Sequence, residues 1–286
     1  MSRKAAVWIA AVAWLAPLAA AAQGGDPVTL RAMELANGVL KAQWMDFRVE
    51  QVELLRAGQP QRPSISKLHW QPAQWVSGDP RRAADGDRLT YLISRSDGPA
   101  GEALLDGDTA AIDRAMASWA AVPCMSNKVE IVERPDTGED VGIFDSAFGY
   151  GGFGNWQAAD IKIAGWMPPS FFETVTGLGG GQGVLALSVT FVFVDPDGNP
   201  VDANRDGFLD TASSEIYFND GFSWQSEGGF NLETVALHEL GHSLGVGHVD
   251  PKHEAVMNPV YAGARTELTP KDGASVCPLW AAWLNW

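Results

Sequence analysis

The chain has 286 residues, of which 46% are hydrophobic and 12 are tryptophan, so it carries enough apolar side chains for a packed core. Its formal net charge of −15 makes nucleic acid and anionic membrane surfaces unsuitable partners. The length fits one domain of ordinary size with a smaller amino-terminal piece, and a monomer is the default expectation.

The first residues predict a secretory signal peptide over residues 1–22. Arg3 and Lys4 give it a positive start, residues 5–18 form an apolar stretch, and residues 20–22 are the small residues that precede a signal peptidase cut. The alternative, a membrane anchor, is disfavoured because the apolar run is short for a bilayer span. No later stretch is long and apolar enough to cross a membrane, so we expect a secreted or periplasmic protein.

Residues 23–85 form an amino-terminal extension in which the sequence suggests no chemistry. Residues 39–55 have partly alternating apolar positions that fit either short strands or a helix. The lone His69 is interpreted as a surface or packing residue. Three roles stay open for this segment: a propeptide, a small accessory domain, or a brace on the main domain.

Residues 86–286 are predicted to form the main domain, because β-rich runs and amphipathic segments are interleaved along them. The predicted strands are residues 89–93, 129–132, 159–163, 184–194 and 215–218. The predicted helices are residues 108–119, residues 232–244 after the N-cap Asn231, and a last helix capped by Thr269 with Pro270 and Asp272 following. This order predicts an α/β (α+β) domain with a twisted mixed sheet.

The helix predicted at residues 232–244 carries the most informative motif of the chain. His238 and His242 are one helical turn apart, so both imidazoles leave the same face and can reach one metal ion. Glu239 is close enough to take a proton from a metal-bound water without being a ligand. Gly245 permits the sharp turn that brings His248 back as a third ligand.

A catalytic zinc site is favoured over a structural one. Only 5 of the 286 residues are histidines, and His238, His242 and His248 fall within eleven residues. A structural zinc needs a fourth protein ligand, usually cysteine, and none is nearby, whereas three ligands leave the open position of a catalytic site. His253 is interpreted as a surface residue, because the three-ligand set is complete without it.

A second metal site is suggested by oxygen-bearing residues at alternate positions, with Gly207 at the sixth position of the loop. The possible calcium ligands are Asp202, Asn204, Asp206, Phe208 and Asp210. Ser213 stands where an EF-hand loop has its closing glutamate, although Glu215 is near. The alternative is a solvated acidic loop, and we favour a structural calcium ion.

Cys124 and Cys277 are the two cysteines of the chain, and both lie beyond the predicted signal peptide. In an oxidising compartment an even pair favours a disulfide. The alternative is a free thiol that caps zinc in a latent precursor, but neither cysteine lies in the amino-terminal segment. We predict the disulfide.

The motif His238-Glu239-x-x-His242-x-x-Gly245-x-x-His248 resembles the zinc signature of the metzincin endopeptidases, and other segments resemble the matrixins among them. Ala255-Val256-Met257-Asn258-Pro259 is similar to the methionine turn beneath the metal, where the resemblance makes Met257 a hydrophobic floor. The similarity covers roughly residues 88–280.

The resemblance also implies how a substrate would bind. Val184, Leu185 and Ala186 match the edge strand of the family, which could pair with an extended peptide if it is exposed. Pro259, Val260 and Tyr261 are similar to the segment that walls the primary specificity pocket.

Two departures favour a secreted microbial-type member over an animal one. No histidine occurs between His69 and His238, so the second, structural zinc site of the animal enzymes is missing. The cysteine-switch motif of the animal propeptides is missing as well.

The function implied is a secreted zinc endopeptidase that acts on protein or peptide substrates through a zinc-activated water, with Glu239 as general base. The alternative is a non-catalytic protein that binds zinc or calcium on a metzincin scaffold, which would have no need of Glu239. A third hypothesis is a metzincin with a special target, such as self-cleavage or cell-surface protein processing.

Overall fold

The computed structural model describes residues 24–58, 64–69, 71–83, 88–95, 106–151, 155–224, 229–280 and 283. The predicted signal peptide, residues 1–22, lies outside these ranges. None of the helices within them is long and apolar enough to span a membrane.

The helices and strands of the described ranges alternate along the chain. The helices are α1 (Pro27–Ala42), α2 (Asp106–Ala120), α3 (Pro123–Ser126), α4 (Pro169–Thr176), α5 (Gly180–Gly183), α6 (Leu232–Ser243) and α7 (Pro270–Trp280). The strands are β1 (Phe47–Arg56), β2 (Ile65–Lys67), β3 (Ala73–Gln74), β4 (Arg88–Ile93), β5 (Glu130–Arg134), β6 (Ile161–Met167), β7 (Val184–Phe193) and β8 (Leu209–Asn219).

The described strands form a mixed sheet in the order β2-β1-β7-β8-β6-β4-β5, and β3 pairs with β8 off this path. The β8-β6-β4-β5 part is parallel, whereas β2, β1, β7 and β8 are joined by antiparallel pairs. The predicted α/β fold with a mixed sheet is confirmed.

The amino-terminal extension contributes directly to this sheet. The sequence left residues 39–55 open between strands and a helix, and the structure has both, because α1 ends at Ala42 and β1 begins at Phe47. Asp26 caps the first turn of α1, and Trp44 takes a positive φ of 59° in the turn that separates the two elements. β1 pairs with β7 along its length, so residues on both sides of the boundary predicted at 85/86 share one sheet.

The two faces of the sheet cover two hydrophobic cores. The core beneath α2, α6 and α7 includes Trp119 and Met257, and the core beneath α1 and α4 includes Phe171. β1 serves both, since successive strand residues point to opposite faces: Leu55 packs in the first core and Leu54 in the second.

Helix α6 carries the predicted metal ligands and is bounded by local signals. At its start the Asn231 side chain accepts a hydrogen bond from the Thr234 N–H at 2.8 Å. At its end Gly245 has a φ of 89°, and the Val246 N–H donates to the Gly241 carbonyl at 2.9 Å. The chain therefore reverses just after the helix, as the glycine predicted.

Helix α7 is fixed at its start and in its middle. The Thr269 N–H donates to the Asp272 carboxylate at 2.9 Å, and the Asp272 N–H donates to the Thr269 hydroxyl at 3.3 Å, which is the reciprocal pair that the sequence predicts. Cys277 of α7 forms a disulfide with Cys124 of α3, with the two Cα atoms 5.5 Å apart.

Candidate metal centre

Three imidazoles meet at one point beside α6. The Nε2 atom of His242 lies 2.9 Å from the Nε2 of His238 and 3.1 Å from the Nε2 of His248. Within the described ranges these three are the one group of three or more His, Cys, Asp or Glu side chains whose ligand atoms all lie within 4.8 Å of one another. The helical spacing and the Gly245 turn together bring them to that point.

The outer ring nitrogens are held by backbone carbonyls. The Nδ1 of His238 lies 2.8 Å from the Val256 oxygen, and the Nδ1 of His242 lies 2.7 Å from the Val246 oxygen. A carbonyl can only accept, so these contacts place the proton on Nδ1 and leave the lone pair on Nε2. The Nε2 atoms are thereby oriented as metal ligands.

Burial favours the neutral form of all three rings. It lowers the pKa of His238 well below its usual range, that of His242 to about 3 and that of His248 to about 2. Neutral imidazoles are the form that binds a metal. Three converging nitrogens, which no further His, Cys, Asp or Glu among the described residues joins, fit a zinc ion with an open position. The donor set therefore fits catalytic zinc.

Glu239 lies on the same helix and is fully buried. Burial raises the pKa of its carboxyl well above the usual range, and the nearby Glu53 carboxylate adds to the rise. Both oxygens of this carboxylate are buried without a hydrogen-bond partner. A carboxylate kept in so dry a place beside three histidines is unusual for a purely structural residue.

Met257 packs closely against α6. A Cβ placed on Gly241 would be 2.4 Å from the Met257 sulfur and 2.8 Å from Cζ2 of Trp119, so only glycine fits the helix at this contact. Asp272, which caps α7, also accepts hydrogen bonds from the backbone N–H groups of Val256 and Met257, each at 3.1 Å. The sequence predicted Asp272 as a helix cap but gave no sign of this second role.

A pocket opens beside the metal centre. Its lining includes His238, Thr234, Val260, Tyr261 and Leu55. The role of Val260 and Tyr261 as a wall of the specificity pocket stays a prediction. The Asn231 N–H donates to the Tyr261 hydroxyl at 3.1 Å, which ties the pocket wall to the start of α6.

The strand expected to bind a substrate is already paired. Val184, Leu185 and Ala186 are fully buried in β7, and Ala186 and Val184 face Leu55 and Arg56 of β1. Substrate binding by this strand was expected only if its edge is exposed. The edge is not exposed in the intact chain, because the backbone of β1 is hydrogen-bonded to it. The carbonyl of Pro259 accepts from the Arg56 N–H at 3.4 Å.

Glu53 of β1 is a site residue that sequence reasoning missed. Its side chain is 1% exposed, and its carboxylate contacts the ring of His242. Burial raises its pKa to about 7, against the opposing effects of His248 and Lys67. The signal in the sequence was a lone acidic residue in an otherwise apolar stretch, Val52-Glu53-Leu54-Leu55.

The acidic loop before β8 is held by its own hydrogen bonds. The Asp202 carboxylate accepts from the N–H groups of Asp206 and Gly207, at 3.1 and 3.0 Å, and the Asn204 amide donates to Asp206. Asp210 is buried in β8 and bound to Arg81.

The residue considered for closing the calcium loop lies elsewhere. Glu215 is fully buried in β8, where it accepts from the Ile143 and Phe144 N–H groups at 3.0 Å and pairs with Lys162. It is therefore committed to the sheet and its neighbouring loop, and calcium binding by the residues around Asp202 stays a prediction.

Comparisons with known proteins agree with the motif. Residues 194–281 match the family model described as matrixin. Human matrix metalloproteinase-19 is 40% identical over 70 residues, which are 23% of this chain and 13% of that protein. Karilysin from Tannerella forsythia is 34% identical over 95 residues, or 29% of this chain and 20% of that protein.

The chain thus spans only 13% and 20% of the length of these two relatives, and the residues that match the family model include the three histidines. The converging imidazoles, the glycine turn after α6 and the buried Met257 all lie within the matched residues. Residues 194–281 are thus similar to the matrixin family.

Proposed function

We propose that this protein is an exported zinc-dependent endopeptidase, with His238, His242 and His248 as the zinc ligands and Glu239 as the general base. The observation that carries the proposal is the meeting of three neutral imidazoles at one point, with a buried carboxylate on the same helix. A general base beside the metal serves catalysis, whereas the alternative of a non-catalytic metal-binding protein has no use for it.

The proposed roles of the zinc ion, Glu239 and the two carbonyls follow from their chemistry. A bound zinc ion would supply a Lewis acid that makes water acidic near neutral pH and polarises the scissile carbonyl. Glu239 takes the proton from the attacking water at its carboxylate and passes it to the leaving nitrogen. The carbonyls of Val256 and Val246 hold two of the rings in the orientation that this requires.

Substrate recognition is proposed to use main-chain hydrogen bonds. An extended peptide would pair with Val184, Leu185 and Ala186 on one side and with the segment from Pro259 to Tyr261 on the other. Pairing of this kind tolerates many sequences, and the side chain that enters the pocket beside Val260 and Tyr261 adds selectivity. We infer that the substrates are proteins or peptides and that the signal peptide directs the enzyme out of the cytosol.

The direct test of this function is Glu239→Gln, which preserves the size of the side chain and removes its basicity. We expect a loss of peptidase activity on the order of 10²–10⁴-fold with zinc content unchanged. Activity against casein and a peptide library is measured on the intact chain and after limited proteolysis, because β1 covers the strand that would bind substrate.

Glu254→Gln is the matched control, because it replaces glutamate by glutamine at a side chain that is 91% exposed. It should leave activity and zinc content unaltered. Full activity in purified Glu239→Gln would contradict the role of the base, and failure of the wild type to bind zinc would contradict the function itself.

A further inference from the structure

The end of helix α6 is buried, so its last carbonyl groups need hydrogen-bond donors from the protein. The final turn of any helix has carbonyls that no N–H of the helix itself can reach. In α6 the carbonyls of residues 240–242 accept from the backbone N–H groups of residues 244–246, at 2.8–3.1 Å. The carbonyls of Ser243 and Leu244 come next, and both of these residues are buried.

Two tryptophans from distant parts of the chain donate to these two carbonyls. The indole N–H of Trp75 donates to the Ser243 carbonyl at 2.7 Å, and the indole N–H of Trp280 donates to the Leu244 carbonyl at 3.1 Å. Both tryptophans are buried. A buried carbonyl that loses its donor costs free energy, so the two indoles stabilise the backbone where α6 ends.

Trp75 is itself held in place by the extension to which it belongs. β3, which ends directly before it, pairs in parallel with β8 at Leu209 and Asp210. The Cζ atom of Arg82 lies 5.5 Å from the centre of the Trp75 ring, and Arg82 forms a fully buried ion pair with Asp160 at 3.1 Å. The indole therefore cannot turn away from α6 without disturbing buried contacts.

The backbone that the two indoles hold leads directly to two of the predicted metal ligands. Val246 comes two residues after Leu244, and its carbonyl lies 2.7 Å from the Nδ1 of His242. His248 follows two residues later, with its Nε2 3.1 Å from the Nε2 of His242. A shift of the end of α6 would move Val246 and His248 together, and groups that orient metal-binding histidines affect the affinity for the metal.

We propose that Trp75 and Trp280 are positioning residues for the metal centre, because their indole N–H groups fix the end of α6 and through it the arrangement of His242 and His248. The inference rests on the zinc site of the proposed function and extends it to residues outside the metal-binding motif. It assigns residues 71–83 the role of a brace on the main domain, one of the three roles that the sequence left open for the extension.

The test measures metal binding by the folded protein rather than turnover. Trp75→Phe and Trp280→Phe each keep an aromatic ring and remove the N–H donor. We expect each to lower the affinity for zinc by about tenfold, measured by competition with a chelator, because partners that orient metal-binding histidines typically contribute that much or more. We also expect a changed visible absorption band in the cobalt-substituted protein, since this band reports the geometry of the ligands.

Trp224→Phe is the matched control. The indole N–H of Trp224 also donates to a backbone carbonyl, that of Asn219 at 2.9 Å, but Asn219 is the last residue of β8 and not part of α6. This variant should keep the zinc affinity and the cobalt spectrum of the wild type.

Trp75→benzothienylalanine is a second variant for the case in which the smaller phenylalanine ring unfolds the protein, because a sulfur atom replaces the N–H and the size of the ring is kept. Circular dichroism and urea unfolding determine the folding and the stability of every variant.

The outcomes separate this inference from the proposed function. Lower zinc affinity and a changed cobalt spectrum in the Trp75 and Trp280 variants, with Trp224→Phe unaltered, support it. Folded variants that lose stability but keep the zinc affinity and the cobalt spectrum overturn it, and so does an equal loss of zinc affinity in Trp224→Phe; both results leave the proposed function standing. Failure of the wild type to bind zinc overturns the proposed function and, with it, the inference.

Discussion

Gly241 is the residue at which α6 comes closest to the layer beneath it. The position is too tight for any side chain, because the Met257 sulfur and the Trp119 ring lie within 2.8 Å of where a Cβ would be. The Trp119 ring cannot easily move, since its indole N–H donates to the Leu237 carbonyl at 2.8 Å. Packing at this one residue therefore sets the distance between α6, which carries the predicted metal ligands, and the residues beneath it.

Gly241→Ala should destabilise the protein by about 1–3 kcal/mol, the usual cost of overpacking a core, and should weaken zinc binding because α6 must shift. Urea unfolding measures the first effect and competition with a zinc chelator the second. Unchanged stability and unchanged zinc affinity would show that the contact is loose.

Gly38→Ala is the control for this substitution. Gly38 lies in α1 with nothing within 4 Å of the added carbon, so the change should raise stability by up to about 1 kcal/mol through helix propensity alone. A loss of stability in both variants would mean that the Gly241 result reflects something other than packing.

At the scale of elements, the sequence predicts the ends of helices correctly where each end depends on residues that are close in the chain. The caps at Asn231 and Thr269 and the turn at Gly245 are all formed as the sequence predicts. β8 was predicted over residues 215–218 and extends over Leu209–Asn219. Its polar residues, such as Ser214, are typical of turns in a sequence but are buried here.

The reason for the longer strand is tertiary. The Ser214 hydroxyl donates to Ser243 at the end of α6 at 2.8 Å, and Asp210 pairs with Arg81 of the extension. These partners are distant in the chain, so no local sequence pattern predicts the contacts. Hydrogen bonds from both neighbouring strands then complete β8.

The loop between β7 and β8 is where calcium is expected. Gly207 has a φ of 94°, and the backbone N–H groups that follow Asp202 turn back to its carboxylate, which gives the tight loop that such a site needs. We predict that removing calcium lowers the melting temperature by about 2–4 °C for each kcal/mol of binding energy lost.

The measurement is thermal unfolding with calcium and with a calcium-selective chelator, at a zinc content that is determined in both samples. Asp202→Asn should abolish the difference, and Glu254→Gln should preserve it. A melting curve that does not respond to calcium, with zinc retained, would leave the acidic loop as a solvated surface feature.

At the scale of the whole molecule, the disulfide joins distant parts of one core. Cys124 and Cys277 are 153 residues apart in sequence, and they attach α7 to α3. Cross-linking so long a loop restricts the unfolded chain strongly.

Replacing both cysteines by serine should lower the free energy of unfolding by about 3–5 kcal/mol. Urea unfolding of the double variant, compared with oxidised and with reduced wild type, measures the effect. The reduced wild type should resemble the variant, and equal stability of all three would show that the bond contributes little.

As with the fold, one part of the candidate site could be predicted from the sequence and another part could not. His238 and His242 are one helical turn apart, so the sequence alone places them on one face, with Glu239 beside them and the Gly245 turn to bring back His248. Glu53 reaches them only because β1 pairs with β7, where it faces Ser188. An acidic residue in a strand usually faces water, and the pairing that buries Glu53 involves residues far along the chain.

Asp272 connects the last described helix to the floor beneath the histidines. One carboxylate caps α7 and also holds the backbone of Val256 and Met257, while the Val256 carbonyl orients His238. Shortening the protein from its carboxyl end is therefore not a peripheral change. A truncation that ends before Asp272 would release the methionine turn and, through it, the first of the three imidazoles.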